Sequence, residues 1–174
     1  MRNNKLFLLF VLWIAVLPVH GKQKDFVLPS GQSVSIACAH SEEVVVHTAL
    51  ELLNRDIQTV LSSNSRVNNS SGEIIVGTAG RSELIDQSGV DTSVLKGKKQ
   101  AFLLTVSPEG KLIVAGSDGH GTAYGILEIS RLLGVSPWEW WADVTPEKKK
   151  LFKLSSKFRS VQSPSVEYLS LIHI

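Results

Sequence analysis

Three of the four tryptophans in this 174-residue chain fall within four positions, in Pro137-Trp138-Glu139-Trp140-Trp141-Ala142-Asp143. Indole rings stack on the C–H faces of sugars, and a carboxylate beside them accepts hydrogen bonds from hydroxyls. Three indoles in four residues cannot all be buried on one face of a helix or strand, so at least one ring is expected to be partly exposed. Two readings stand side by side: a sugar platform, or a packing surface for another domain. Gly134 and Pro137 precede the run and predict an extended stretch. Trp138 and Trp140 would then point one way, and Glu139 and Trp141 the other. Glu139 with Trp141 is the expected outward pair, because a carboxylate is costly to bury without partners.

The second stretch with chemical content is Leu112-Ile113-Val114-Ala115-Gly116-Ser117-Asp118-Gly119-His120-Gly121-Thr122-Ala123-Tyr124-Gly125. It reads as a strand, a glycine turn and a helix start. Free N–H groups at a helix start favour an anion. Gly116-x-x-x-x-Gly121-Thr122 has phosphate-loop spacing but puts Thr where the essential Lys belongs. Gly119-x-Gly121-x-x-x-Gly125 misses the dinucleotide-binding spacing by one and follows a hairpin strand. The simpler reading is a tight strand-to-helix turn, with His120 near a sugar as the sharper alternative. Cys38 is the single cysteine, so no intramolecular disulfide forms, and its surroundings predict a small buried strand residue.

The elements that hold these stretches follow from periodicity. Residues 42–61 carry Val46, Ala49, Leu50, Leu53, Ile57, Val60 and Leu61 on one helical stripe, with Ser41 as the expected cap. Strands are predicted over 33–39 and 73–77, with a polar loop over 62–72 and a brief helix at 82–87. Residues 100–106 and 111–115 form a hairpin across Ser107-Pro108-Glu109-Gly110. Residues 119–133 form a second helix with Ala123, Ile126, Leu127, Ser130 and Leu133 inward and Gly134 at its C-cap. A last strand over 150–154 follows Lys148-Lys149-Lys150, read as a solvated run. The order predicts an α/β (α+β) domain: a mixed β-sheet with helices packed on it.

Composition sets the class. The chain is 43% hydrophobic and 20% charged, which is globular. It is too short for a (β/α)₈ barrel, which needs roughly 250 residues. Residues 1–21 read as a secretory signal peptide, with Arg2 and Lys5 before an apolar run over 6–19 that is shorter than the roughly 20 residues of a membrane span. Without those two cations the 18 Lys and Arg fall to 16, matching 16 Asp and Glu. A neutral surface offers nothing to nucleic acid or to anionic membrane. The protein is therefore expected to be secreted or periplasmic, with no membrane contact after cleavage. Leu169-Ser170-Leu171-Ile172-His173-Ile174 resembles the translation of CTGTCTCTTATACACATC, a transposon-end sequencing adapter. The native sequence is expected to run out near Tyr168.

Taken together, Gly119-His120-Gly121-Thr122-Ala123-Tyr124-Gly125-Ile126-Leu127-Glu128-Ile129-Ser130-Arg131 and Ser136-Pro137-Trp138-Glu139-Trp140-Trp141-Ala142-Asp143-Val144-Thr145-Pro146 resemble the N-terminal domain of glycoside hydrolase family 115, the xylan α-1,2-glucuronidases. The resemblance covers residues 26–168. It implies an accessory domain over 22–160, with 161–168 leading into a catalytic barrel that this chain lacks. The whole enzyme would remove glucuronic acid or its 4-O-methyl ether from xylan side chains, with inversion. Its acid and base would lie on the barrel. No catalytic residue, metal ligand or cofactor is therefore assigned here, and the fragment is expected to be inactive. The candidate substrate-binding residues are Trp138, Glu139, Trp140, Trp141 and His120. The alternative is a free-standing secreted carbohydrate-binding module with its aromatic platform at 138–141.

Overall fold

The computed structural model describes residues 23–165. The leader expected at 1–21, the end of the linker and the adapter-like hexapeptide lie outside the described residues. The first strand, β1 (Phe26–Pro29), pairs antiparallel with β7 (Leu151–Leu154), and Phe26 meets Phe152 edge to face at 6.1 Å. The main sheet contains β2 (Val34–Cys38), β3 (Ser65–Asn68), β4 (Ile74–Thr78), β5 (Phe102–Val106), β6 (Leu112–Gly116) and β8 (Arg159–Gln162), in the order β3-β2-β4-β6-β5-β8. The β3, β2, β4 and β6 strands are mutually parallel, while β5 runs antiparallel to β6 and to β8. This is the mixed sheet that the element order predicts.

Helices α1 (Val44–Leu61) and α3 (Gly119–Leu133) pack on one face. The short α2 (Glu83–Gln87) and a single 3-10 turn, Ser93–Leu95, cover the other. Strand residues divide accordingly. Leu104 and Val114 join the helix-side core, whereas Leu103 and Ile113 face Ile85 and Leu95. Central β6 is buried at every position, which explains its unbroken apolar run. Cys38 is buried at the end of β2, as expected.

Helix α1 buries the whole expected stripe, joined by Asp56. Its start departs from the expectation. The N-cap is Glu43, without a side-chain cap bond, and Ser41 does not cap. Glu42 instead turns into the end of the sheet, where its carboxylate accepts from Thr78 N at 2.8 Å and Thr78 Oγ1 at 2.7 Å. Three strands carry no signal in the sequence. β3 lies inside the expected polar loop and is a half-exposed edge. β1 belongs to a two-stranded ribbon. β8 starts at Arg159, ahead of the boundary drawn at 160, and closes this domain's own sheet against β5. The lysine run is also not wholly solvated. Lys149 donates its backbone N–H to Val60 O at 2.8 Å. Its ammonium lies beside Gly134, where the C-terminus of α3 favours a cation.

Candidate functional site: a groove at the end of the second long helix

The glycine turn is a packing device. Asp118 caps α3: Oδ1 accepts from Gly121 N at 2.7 Å, and Oδ2 accepts from Gln100 N at 2.7 Å. The carboxylate stands at the helix end where a phosphate would have to sit, so the electrostatics oppose an anion. A Cβ on Gly121 would overlap the Ala101 carbonyl, and one on Gly116 would overlap the Thr122 backbone. Thr122 Oγ1 lies 3.0 Å from Thr78 Oγ1, which extends the Glu42–Thr78 link across the sheet end. The glycines thus let helix and strands touch, in agreement with the simpler reading.

His120 is exposed in the first turn of α3. The tryptophan run follows the last turn. Helix α3 lies between them in sequence, yet Trp141 lines one groove with Tyr124, one turn after His120.

The run at 138–141 is not extended. Glu139–Ala142 forms a short helix, α4. Ser136 initiates it: its Oγ accepts from Trp138 N at 3.2 Å and its carbonyl from Glu139 N at 3.0 Å. Pro137 supplies the fixed φ that suits a first turn, instead of holding the chain extended. Asp143 ends it in a left-handed conformation, φ 50°. The expected alternation therefore does not form. Trp138 and Trp141, three apart, are 63% and 84% exposed, so both of these indoles face outward; the side chain of Trp140 lies outside the described residues. Glu139 is half-buried, with Oε2 enclosed and lacking a hydrogen-bond partner among the described residues.

Trp141 stands at the edge of a groove of ≈ 650 Å³. One wall is α1 at Leu52 and Arg55. Another is α3 at Tyr124, Leu127 and Arg131. Phe102 lies between them, and Ser163 and Pro164 follow β8 along the rim. Glu128 holds Arg131 bidentately, at 2.7 Å to both Nε and Nη2, and accepts from Gln162 Nε2 at 3.2 Å. Leu127 was expected inward but is 39% exposed, and Tyr124 is 42% exposed. Tyr124, Leu127 and Arg131 share one outer stripe at i, i+3 and i+7. The two apolar members of that stripe were the available signal for the groove. Neither His120 nor Glu139 lines it. Among the described residues no three His, Cys, Asp or Glu side chains gather to hold a metal ion, and no helix is long and apolar enough to cross a membrane.

No family model and no curated protein matches the chain. Solved structures do. The family GH115 4-O-methyl-α-glucuronidase BtGH115A, described as having specificity for decorated arabinogalactans, is 70% identical over 83% of this chain, with a TM-score of 0.82. A GH20 exo-β-N-acetylglucosaminidase from Vibrio harveyi matches 83% of the chain and 17% of its own length at 16% identity, TM-score 0.50. CpGH84D matches 76% of the chain and 21% of its own length at 13% identity, TM-score 0.51. These two similarities show the fold alone. The chain spans 19% of the length of BtGH115A. At 70% identity across an α/β domain whose turn, helix and tryptophan segment are those of the resemblance, the chain belongs to glycoside hydrolase family 115.

Proposed function

We propose that this chain is the accessory domain of a longer, exported enzyme that removes glucuronic acid or its 4-O-methyl ether from polysaccharide side chains. The observation that carries the reading is the 70% identity over 83% of the chain to a 4-O-methyl-α-glucuronidase. The apolar leader at 1–21 supports export. The domain spans 22–160 together with the rest of β8, and the acid and base belong to a barrel beyond it. An inverting hydrolysis needs a carboxylic acid and a carboxylate about 6.5–9.5 Å apart with room for water between them. The three buried acids among the described residues each have a partner: Glu42 holds Thr78, Asp56 holds Arg55, and Glu128 holds Arg131.

Xylan is the polymer that the family resemblance suggests. The specificity of BtGH115A for decorated arabinogalactans favours a second reading, with the uronic acid carried on an arabinogalactan. The reaction is the same in both, hydrolysis of an α-glucuronoside. We assign sugar contact in the complete enzyme to Trp138, Glu139, Trp140 and Trp141. His120, exposed in the first turn of α3, is a further candidate contact. A free-standing binding module would leave the same indoles exposed, but the identity to a much longer enzyme does not favour it. Reading the gene past the codon for Tyr168 in an independent clone tests the proposal. Several hundred further codons are expected; a stop codon there would support the module and remove the enzyme.

A further inference from the structure

We propose that the groove between α1 and α3 is the seat of a later segment of the same polypeptide, one that offers an apolar side chain flanked by a hydrogen-bond acceptor. This rests on the reading of the chain as part of a longer family 115 enzyme. Tyr124, Leu127 and Trp141 are large, exposed and apolar, and they converge on one groove. Exposed apolar surface of this kind marks a contact face. The occupant is inferred from three observations. The chain covers 19% of the family member it matches at 70% identity, so a complete enzyme of that kind has most of its mass to place against this domain. The polypeptide runs along the rim of the groove at Ser163 and Pro164, which brings the later residues of a longer polypeptide within short reach. Arg131 is 63% exposed on its side chain, and Glu128 takes only its Nε and Nη2 donors. The remaining guanidinium N–H groups favour a carbonyl or carboxylate on the occupant.

The arrangement separates two roles along one turn. The groove takes the neighbouring part of the enzyme, while Trp138, outside the groove lining, is left at the junction. A substrate cleft formed at that junction would have the indole at its edge.

Thiol labelling tests the groove. Cys38 is buried, and burial followed by the negative charge of Glu42 pushes its thiol up to about 12, so it stays silent at pH 7.5. Leu127→Cys is introduced into the 174-residue chain and into the full-length gene product, with exposed Glu83→Cys on the opposite face of the sheet as control. Tyr124→Cys serves as a second groove probe. Maleimide modification is followed by mass at the engineered peptide. The groove thiols should react at least tenfold more slowly in the full-length protein than in the short chain, with Glu83→Cys equal in both. Equal rates at Leu127→Cys and Tyr124→Cys in an intact, active full-length enzyme would overturn the seat and leave the enzyme reading standing. Slow labelling in the short chain that deepens with concentration would identify a second copy as the occupant and also overturn it. A gene with no further codons would remove the enzyme reading itself before any labelling.

Discussion

Replacing Gly121 with Ala separates a glycine kept for packing from one kept for a ligand. The residue is buried in the first turn of α3, and the added methyl would overlap the Ala101 carbonyl oxygen, a backbone atom. That oxygen already accepts from Ser117 N at 2.8 Å, and Ala101 N donates to Ser117 Oγ at 3.0 Å. Relief therefore requires the start of α3 to lift from β5, straining the Asp118 cap and the Ser117 bonds together. Overpacking of this kind costs about 1–3 kcal/mol. A weakened hydrogen bond adds about 1 kcal/mol. The better helix propensity of Ala returns about 1 kcal/mol. The expected net loss is about 2 kcal/mol, or roughly 6 °C in Tm for a domain of this size. Urea and thermal unfolding followed by far-UV circular dichroism measure it. His120→Ala is the control: exposed in the same turn, it should change stability by less than about 0.5 kcal/mol. A Gly121→Ala variant as stable as the parent would refute the packing account and return the turn to ligand approach.

The other expected effects are smaller. Ser62 closes α1 in the left-handed region at φ 51° and is exposed, so Ser62→Gly should stabilise the domain by about 0.5–1 kcal/mol in a urea titration; a loss would contradict the strain. Lys153, at 2.9 Å, and the Ser156 N–H, at 2.8 Å, hold the Asp25 carboxyl below its ordinary 3.8. A depressed carboxyl stabilises the fold above its unfolded value and loses that contribution as pH falls through the folded one. The stability gap between the parent and Asp25→Asn should therefore be present at pH 7 and shrink below about pH 4; a gap independent of pH would refute it. In the complete enzyme, Glu139→Ala should lower kcat/KM by more than tenfold, about 1.4 kcal/mol, with Tm nearly unchanged. Full activity, or a loss that follows unfolding, would make α4 structural only.

The two long helices were legible because their apolar stripes are what the sheet buries. Hairpin β5–β6 was legible from its turn residues and its apolar runs. The edge strands were not. The Ser65–Asn68 and Arg159–Gln162 strands are four residues each, with no buried position, and short edges that bury nothing show no alternation. The apolar stripe cannot show that Glu42, at the start of the expected helix, turns away to Thr78, a partner 36 residues along the chain. At the tryptophan run, indole crowding was enough to imply exposure. The conformation escaped because Pro137 is compatible with both an extended stretch and a first helical turn. The groove itself depends on α1, α3 and the end of β8 meeting in space, and no local spacing encodes that meeting.

The proposed function makes this domain silent alone and active only as part of a longer α-glucuronidase. Uronic acid release from glucuronoxylan and from uronic-acid-decorated arabinogalactan decides this, comparing the 174-residue chain with the full-length gene product. The full-length protein should release glucuronic acid or its 4-O-methyl ether from at least one polymer, and the short chain none above a no-enzyme control. Release by the short chain, in a preparation free of host glycosidases, would place a catalytic pair within this domain and contradict the reading.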